Sequence, residues 1–162
     1  MKKFELTSET KVVLGRTLYR IRALIAFGDV EADELGGWIE KETNLDQSGN
    51  AWVSGNALVY GNALVSGDAL VYGNAEVYGV GAIFWIGGVG SRNGTTTFFS
   101  CKDKLVRVVC GCFFGTLEEF VEKVKKTNGD NKHAKVYMLA VEMAKLRIDL
   151  SKIPEGTSDG EL

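Results

Sequence analysis

The sequence predicts a mainly β chain with a helical C-terminal part, built on a solenoid of stacked six-residue units. Three observations predict it. Residues 48–83 repeat every six positions, 20 glycines stand against one proline, and two segments with helix-capping signals follow residue 115. Many glycines without prolines indicate regular tight turns rather than a disordered linker.

Residues 1–47 read as an N-terminal β cap with irregular lead-in coils. Strands are expected over Val12–Leu14 and Leu18–Phe27, around Gly15. Arg20 and Arg22 alternate with Tyr19, Ile21 and Ala23, the period of a half-buried strand. The stretch GDVEADELGGWIEKETNL has hexad character near Val30 and over Ile39–Leu45, but its register slips.

Residues 48–89 form the repeat unit. The hexads are SGNAWV, SGNALV, YGNALV, SGDALV, YGNAEV and YGVGAI. A small residue recurs at Ala51, Ala57, Ala63, Ala69, Ala75 and Gly81, and an aliphatic at Val53, Val59, Val65, Val71, Val77 and Ile83. Neither a helix nor a lone strand has period six, so the pattern means stacked units. Each hexad is a short strand plus a bend, with Gly-Asn or Gly-Asp supplying the bend. The aliphatic points inward, and so does the small residue two positions before it.

Residues 90–148 read as a loop, a hairpin and two helices. Strands are expected near Thr96–Cys101 and Leu105–Cys110, with a turn at Lys102–Lys104. Thr116 and Glu119 form a capping-box pair for a helix ending at Asn128-Gly129. A second helix starts at Asp130 or Asn131 and runs to about Arg147. Residues 149–162 read as an acidic, flexible tail.

The hexads resemble the hexapeptide-repeat family of left-handed parallel β-helices, in which an aliphatic is followed four residues later by a small residue. Gly36-Gly37-Trp38-Ile39-Glu40 ahead of the GNA repeats, and GSRNGTTTFF with CGCFFGTLEEF behind them, resemble phage and prophage proteins carrying such repeats. The likeness spans residues 18–148. It implies a short left-handed parallel β-helix followed by a β-hairpin and two helices, a phage origin, and residence in the host bacterial cytoplasm.

In that family three hexads complete a coil, which gives two complete coils here. Trp52 then lies under Leu70, Ser54 under Tyr72 and Tyr60 under Tyr78, with Leu58 and Leu64 also outward. Such a surface needs cover from the C-terminal region or from another subunit. Trp52, Leu58, Tyr60, Leu64, Leu70, Tyr72 and Tyr78 are therefore candidate contacts of a homo-oligomer, trimeric or dimer-based.

Composition excludes some functions. A formal net charge of -2 does not suit a general nucleic-acid binder. No apolar run is long enough to span a membrane, and polar Met1–Thr10 predicts no secretion signal. Residues 29–47 carry seven acids and one lysine, whereas residues 102–147 carry ten Lys/Arg and six acids. Two solvated surfaces account for this asymmetry most simply.

Chemistry is sparse. The family's enzymes are mostly acyltransferases with a histidine on or beside the coils. Here the one histidine, His133, lies on the second expected helix, so no catalytic residue is assigned. Cys101, Cys110 and Cys112 with His133 have the donor types of a zinc site, but the Cys-x-Cys spacing lacks knuckle geometry. Reduced core thiols are expected instead, with no metal and no cofactor.

The segment from Gly90 to Thr97 is the most suggestive. Glycines free backbone N–H groups, Ser91, Asn93, Thr95, Thr96 and Thr97 offer polar side chains, and Arg92 offers a planar fork. Trp85 and Phe98 lie close enough in sequence to stack on a base. The segment lacks the Gly-Lys-Ser/Thr of a P-loop and reads more simply as a polar connection. The leading expectation is a non-enzymatic oligomeric binding protein, a sponge for a host nucleotide immune signal. The alternative is a structural or polymerising β-helix without a ligand, and the weaker one an acyltransferase relative.

Overall fold

Alternating side chains at the N-terminus fold as a hairpin. The computed structural model describes residues 1–153. Strands β1 (Phe4–Val13) and β2 (Arg16–Ala23) pair antiparallel across a two-residue turn. Leu14 and Gly15 both have positive φ there, the turn geometry that matches strand twist. β1 thus begins well before the expected Val12.

β2 pairs antiparallel with β3 (Leu35–Ile39), and from β3 onward the pairing becomes parallel. The repeat contributes β4 (Trp52–Val53), β5 (Leu58–Val59), β6 (Leu70–Val71) and β7 (Glu76–Val77). Trp52 lies opposite Leu70 and Leu58 opposite Glu76, an interval of 18 residues, or three hexads. Inter-coil bonds run from Trp52 N–H to Ala69 and from Tyr60 N–H to Val77 carbonyls.

The inward stack is longer than the clean repeat. Ile39, Leu45, Val53, Val59, Val65, Val71, Val77 and Ile83 are all buried, as are the five alanines from Ala51 to Ala75. Every step in that series is six residues except the eight from Leu45 to Val53. The register slip is therefore one two-residue insertion. Trp38 consequently pairs with Leu58, and Leu45 bridges to Val65, at an interval of 20. In five hexads the glycine, from Gly49 to Gly73, takes positive φ, and the following Asn or Asp does not.

The sixth hexad breaks the pattern. Val80–Ala82 forms a short 3-10 turn, and Ala82 is buried where Gly81 was expected to point in. Ile83 then opens a second sheet of β8 (Ile83–Val89), β9 (Gly94–Ser100), β10 (Val106–Cys110) and β11 (Phe113–Thr116), in the order β11-β10-β9-β8. Helices α1 (Leu117–Asn128) and α2 (Lys132–Arg147) pack on it. The Thr116–Glu119 capping box and the Asn131 cap form as expected. The chain is mainly β with a C-terminal two-helix part.

β9 is the wall between two cores. Phe99 faces the coils, while Phe98 faces the helices and meets Phe84 and Phe120. The expected free tail is held as far as Ile153, which is buried, and Asp149 N–H donates to the Gly81 carbonyl. The rest of that expectation, residues 154–162, lies outside the described residues. No helix among the described residues is long and apolar enough to cross a membrane.

Candidate functional site

The residues read as one ligand loop are divided by the fold. Gly90–Asn93 is the tight turn between β8 and β9, closed by a bond from Asn93 N–H to the Gly90 carbonyl. Ser91, Arg92 and Asn93 are exposed and Thr95 is half-buried. Thr96, Thr97 and Phe98 are buried, because strand alternation sends them into the two cores. The Thr96 hydroxyl donates to Cys110 Sγ at 3.3 Å, and Thr97 Oγ1 accepts from Leu70 N–H at 3.2 Å. Those hydroxyls are committed inside the molecule. Gly90 has positive φ and sits against Tyr137 of α2, where any side chain would overlap the tyrosine oxygen. The turn is thus fixed to the helix.

Trp85 stands at the opposite end of β8. Its ring covers the Gly67 bend, where a Cβ would collide with it and where φ is also positive. Beside it opens a cleft of about 230 Å³ lined by Leu64, Val80, Ile83, Phe84, Trp85 and Arg147. The coils supply Leu64, the 3-10 turn Val80, β8 the aromatics and the end of α2 the guanidinium. Arg147 is exposed and has no ion-pair partner among the described residues. The volume falls below the ~300 Å³ at which ordinary ligand pockets begin, so it suits one ring or one charged group.

The outward residues of the coils are mostly covered by the chain itself. Trp52 is buried under Phe27, with ring centroids 5.3 Å apart. Leu58 and Tyr60 are buried with Leu18 and Trp38 under the N-terminal hairpin. Tyr60 donates to Glu76 Oε2 at 2.5 Å, and burial with this carboxylate raises its pKa. Tyr72 packs on Phe114, with centroids at 4.7 Å, and Tyr78 donates to the Asp149 carbonyl at 2.6 Å. Leu70 is half-buried against the coil core. Leu64 alone of the seven stays exposed, at the cleft.

The ends of the parallel stack are capped. At one end β2 lies antiparallel on β3, and the Lys3 ammonium donates to the carbonyls of Ser48, Gly49 and Ala51. At the other, Ala75 bridges to Cys101, Lys102 N–H donates to the Asn74 carbonyl, and the Ser100 hydroxyl to that of Glu76. Cys101 is buried and its thiol is pushed up to about 12, chiefly by desolvation. Cys110 is half-buried beside Tyr137, and Cys112 is exposed. Among the described residues no group of three His, Cys, Asp or Glu side chains is placed to hold a metal. His133 is half-buried in the first turn of α2.

Sequence reasoning missed Arg147 as a partner of Trp85. The two are 62 positions apart, and only the packing of α2 along β8 joins them. No family model matches the chain, and no curated protein matches it.

Proposed function

We propose that this chain is a non-enzymatic, phage-derived binding protein that works as a homo-oligomer in the host bacterial cytoplasm and sequesters a small anionic nucleotide signal. The observation that carries this reading is the cleft where Phe84 and Trp85 meet Arg147, which has no ion-pair partner among the described residues. An aromatic face takes a base and a guanidinium takes a phosphate. Its small volume fits part of such a ligand, so a second subunit completes the enclosure. The ligand then sits at the end of β8 opposite the Gly90–Thr97 turn. Ser91 and Arg92 remain available for a contact between subunits.

We further infer that the stacked hexads wind as a left-handed parallel β-helix. The support is the 18-residue pairing interval, three hexads per level. The capped ends of the stack favour a closed oligomer over an open polymer, since exposed strand edges are what head-to-tail growth needs.

The test is mass spectrometry of small molecules carried by protein purified from bacterial cytosol, followed by calorimetry with cyclic nucleotides and ADP-ribose derivatives. Binding is expected, with Trp85→Ala and Arg147→Ala each weakening it by roughly ten- to a hundredfold. No carried ligand and no heat with either class would overturn the reading.

A further inference from the structure

Helix α2 is apolar on two faces. Ala134, Tyr137, Ala140, Val141 and Ala144 face its own sheet and α1. On the far side Val136, Leu139, Met143 and Leu146 are 40, 65, 47 and 89% exposed. Their spacing of three, four and three residues is that of the a and d positions of a heptad. The stripe is about 15 Å long and is held straight on a folded domain. We propose that it is the contact between two copies of this chain, paired as a short parallel coiled coil about a two-fold axis.

Two observations favour a second copy as the occupant. First, a heptad stripe is self-complementary, as a two-fold interface requires. Second, the flanking charges choose the orientation. Glu142 takes a g position and Arg147 the e position five residues on. Parallel pairing sets Glu142 of each copy against one edge of the other's Arg147 guanidinium, leaving its remaining N–H donors to the cleft, whereas antiparallel pairing sets Glu142 against Glu142. An area of this kind, on the order of 300–600 Å² on each copy, lies at the weak end of stable interfaces. A contact of this size is expected to be weak, with a dissociation constant on the order of micromolar. The two-fold axis also brings the ends of both α2 helices together, each with the Arg147 that lines a cleft.

This inference rests on the reading that the chain is an oligomer, and the experiment separates the two. Sedimentation equilibrium of the full chain up to roughly 100 µM is expected to show a dimer. Leu146→Glu and Leu139→Glu, both at exposed positions, are expected to give monomers with unchanged circular dichroism and melting temperature. Glu142→Gln is expected to weaken the dimer by roughly two- to fivefold. A monomeric wild type would overturn the oligomer reading itself. A wild-type oligomer indifferent to both leucine variants would overturn this interface alone. Tightening by Glu142→Gln would overturn the parallel arrangement.

Discussion

The two ends of the coil stack are closed by different balances of charge and apolar surface. The N-terminal hairpin buries Phe4, Leu18 and Ile21 and adds charge around them. Lys3 takes three carbonyls and lies over the Phe27 ring, Lys11 and Arg20 lie over the Trp38 ring, and Arg16 pairs with Glu40 at 2.9 Å. The second sheet closes the other end with buried apolar surface, through Phe99 and Cys101 on the coils and Phe98 on the helices. A polar cap satisfies the edge groups of a stack at its rim. An apolar cap joins the stack to a second core, so the cleft between them keeps its shape only while both cores are intact.

The comparison can be broken most forcefully at β9. Phe98→Ala removes the ring linking Phe84 to Phe120 and is expected to destabilise by about 3–5 kcal/mol. Chemical denaturation measures it. A loss below about 1 kcal/mol would mean that the second core does not depend on β9. Lys3→Ala, at the polar cap, leaves three carbonyls short of a donor and is expected to cost about 1–3 kcal/mol by the same measurement.

Alkaline pH reaches the thiol of the apolar cap. The Cys101 thiol, ordinarily at 9.0, is pushed up to about 12 in the fold. The unfolded chain therefore loses this proton first. The stability tied to the neutral thiol is whole below pH 9 and falls by about 1.4 kcal/mol per unit above it, until the folded thiol also ionises. Tyr137, pushed up to about 12 mainly by burial, acts in the same sense from pH 10 upward. Midpoints compared for wild type and Cys101→Ala over this range isolate the thiol. The smallest effect belongs to the exposed Arg16–Glu40 pair. Arg16→Ala is expected to cost less than about 1 kcal/mol, and added salt is expected to narrow the difference.

What sequence reveals tracks how local the signal is. The first five hexads, the Thr116–Glu119 box and the Asn131 cap depend on neighbours within a few residues, and appear in place. β1 escaped because FELTSETK is mostly polar, as an edge strand covering other strands is free to be. β8 escaped because its apolar start reads as the last hexad. The site was the least visible part. Thr95 to Phe98 look like one polar-aromatic cluster along the chain, yet strand alternation puts successive side chains on opposite faces, both of them interior. Trp85 was read for its ring, but its guanidinium neighbour comes from a helix that only tertiary packing delivers.

The two-residue insertion between Leu45 and Val53 implies a rule of modular growth. The stack absorbs it by bulging one bend, tied down where the Gln47 side chain accepts from Lys3 N–H at 2.7 Å and from Phe4 N–H. Beyond that bend the spacing never varies up to Ile83. Duplicating 18 residues within the repeat would move the second sheet one level along the stack, about 4.8 Å, and leave it facing the same way. Duplicating six would carry it, with its cleft, round to a neighbouring side. Chains that differ from this one by 18 residues within the repeat can keep the cleft's surroundings, whereas those that differ by six must rebuild them.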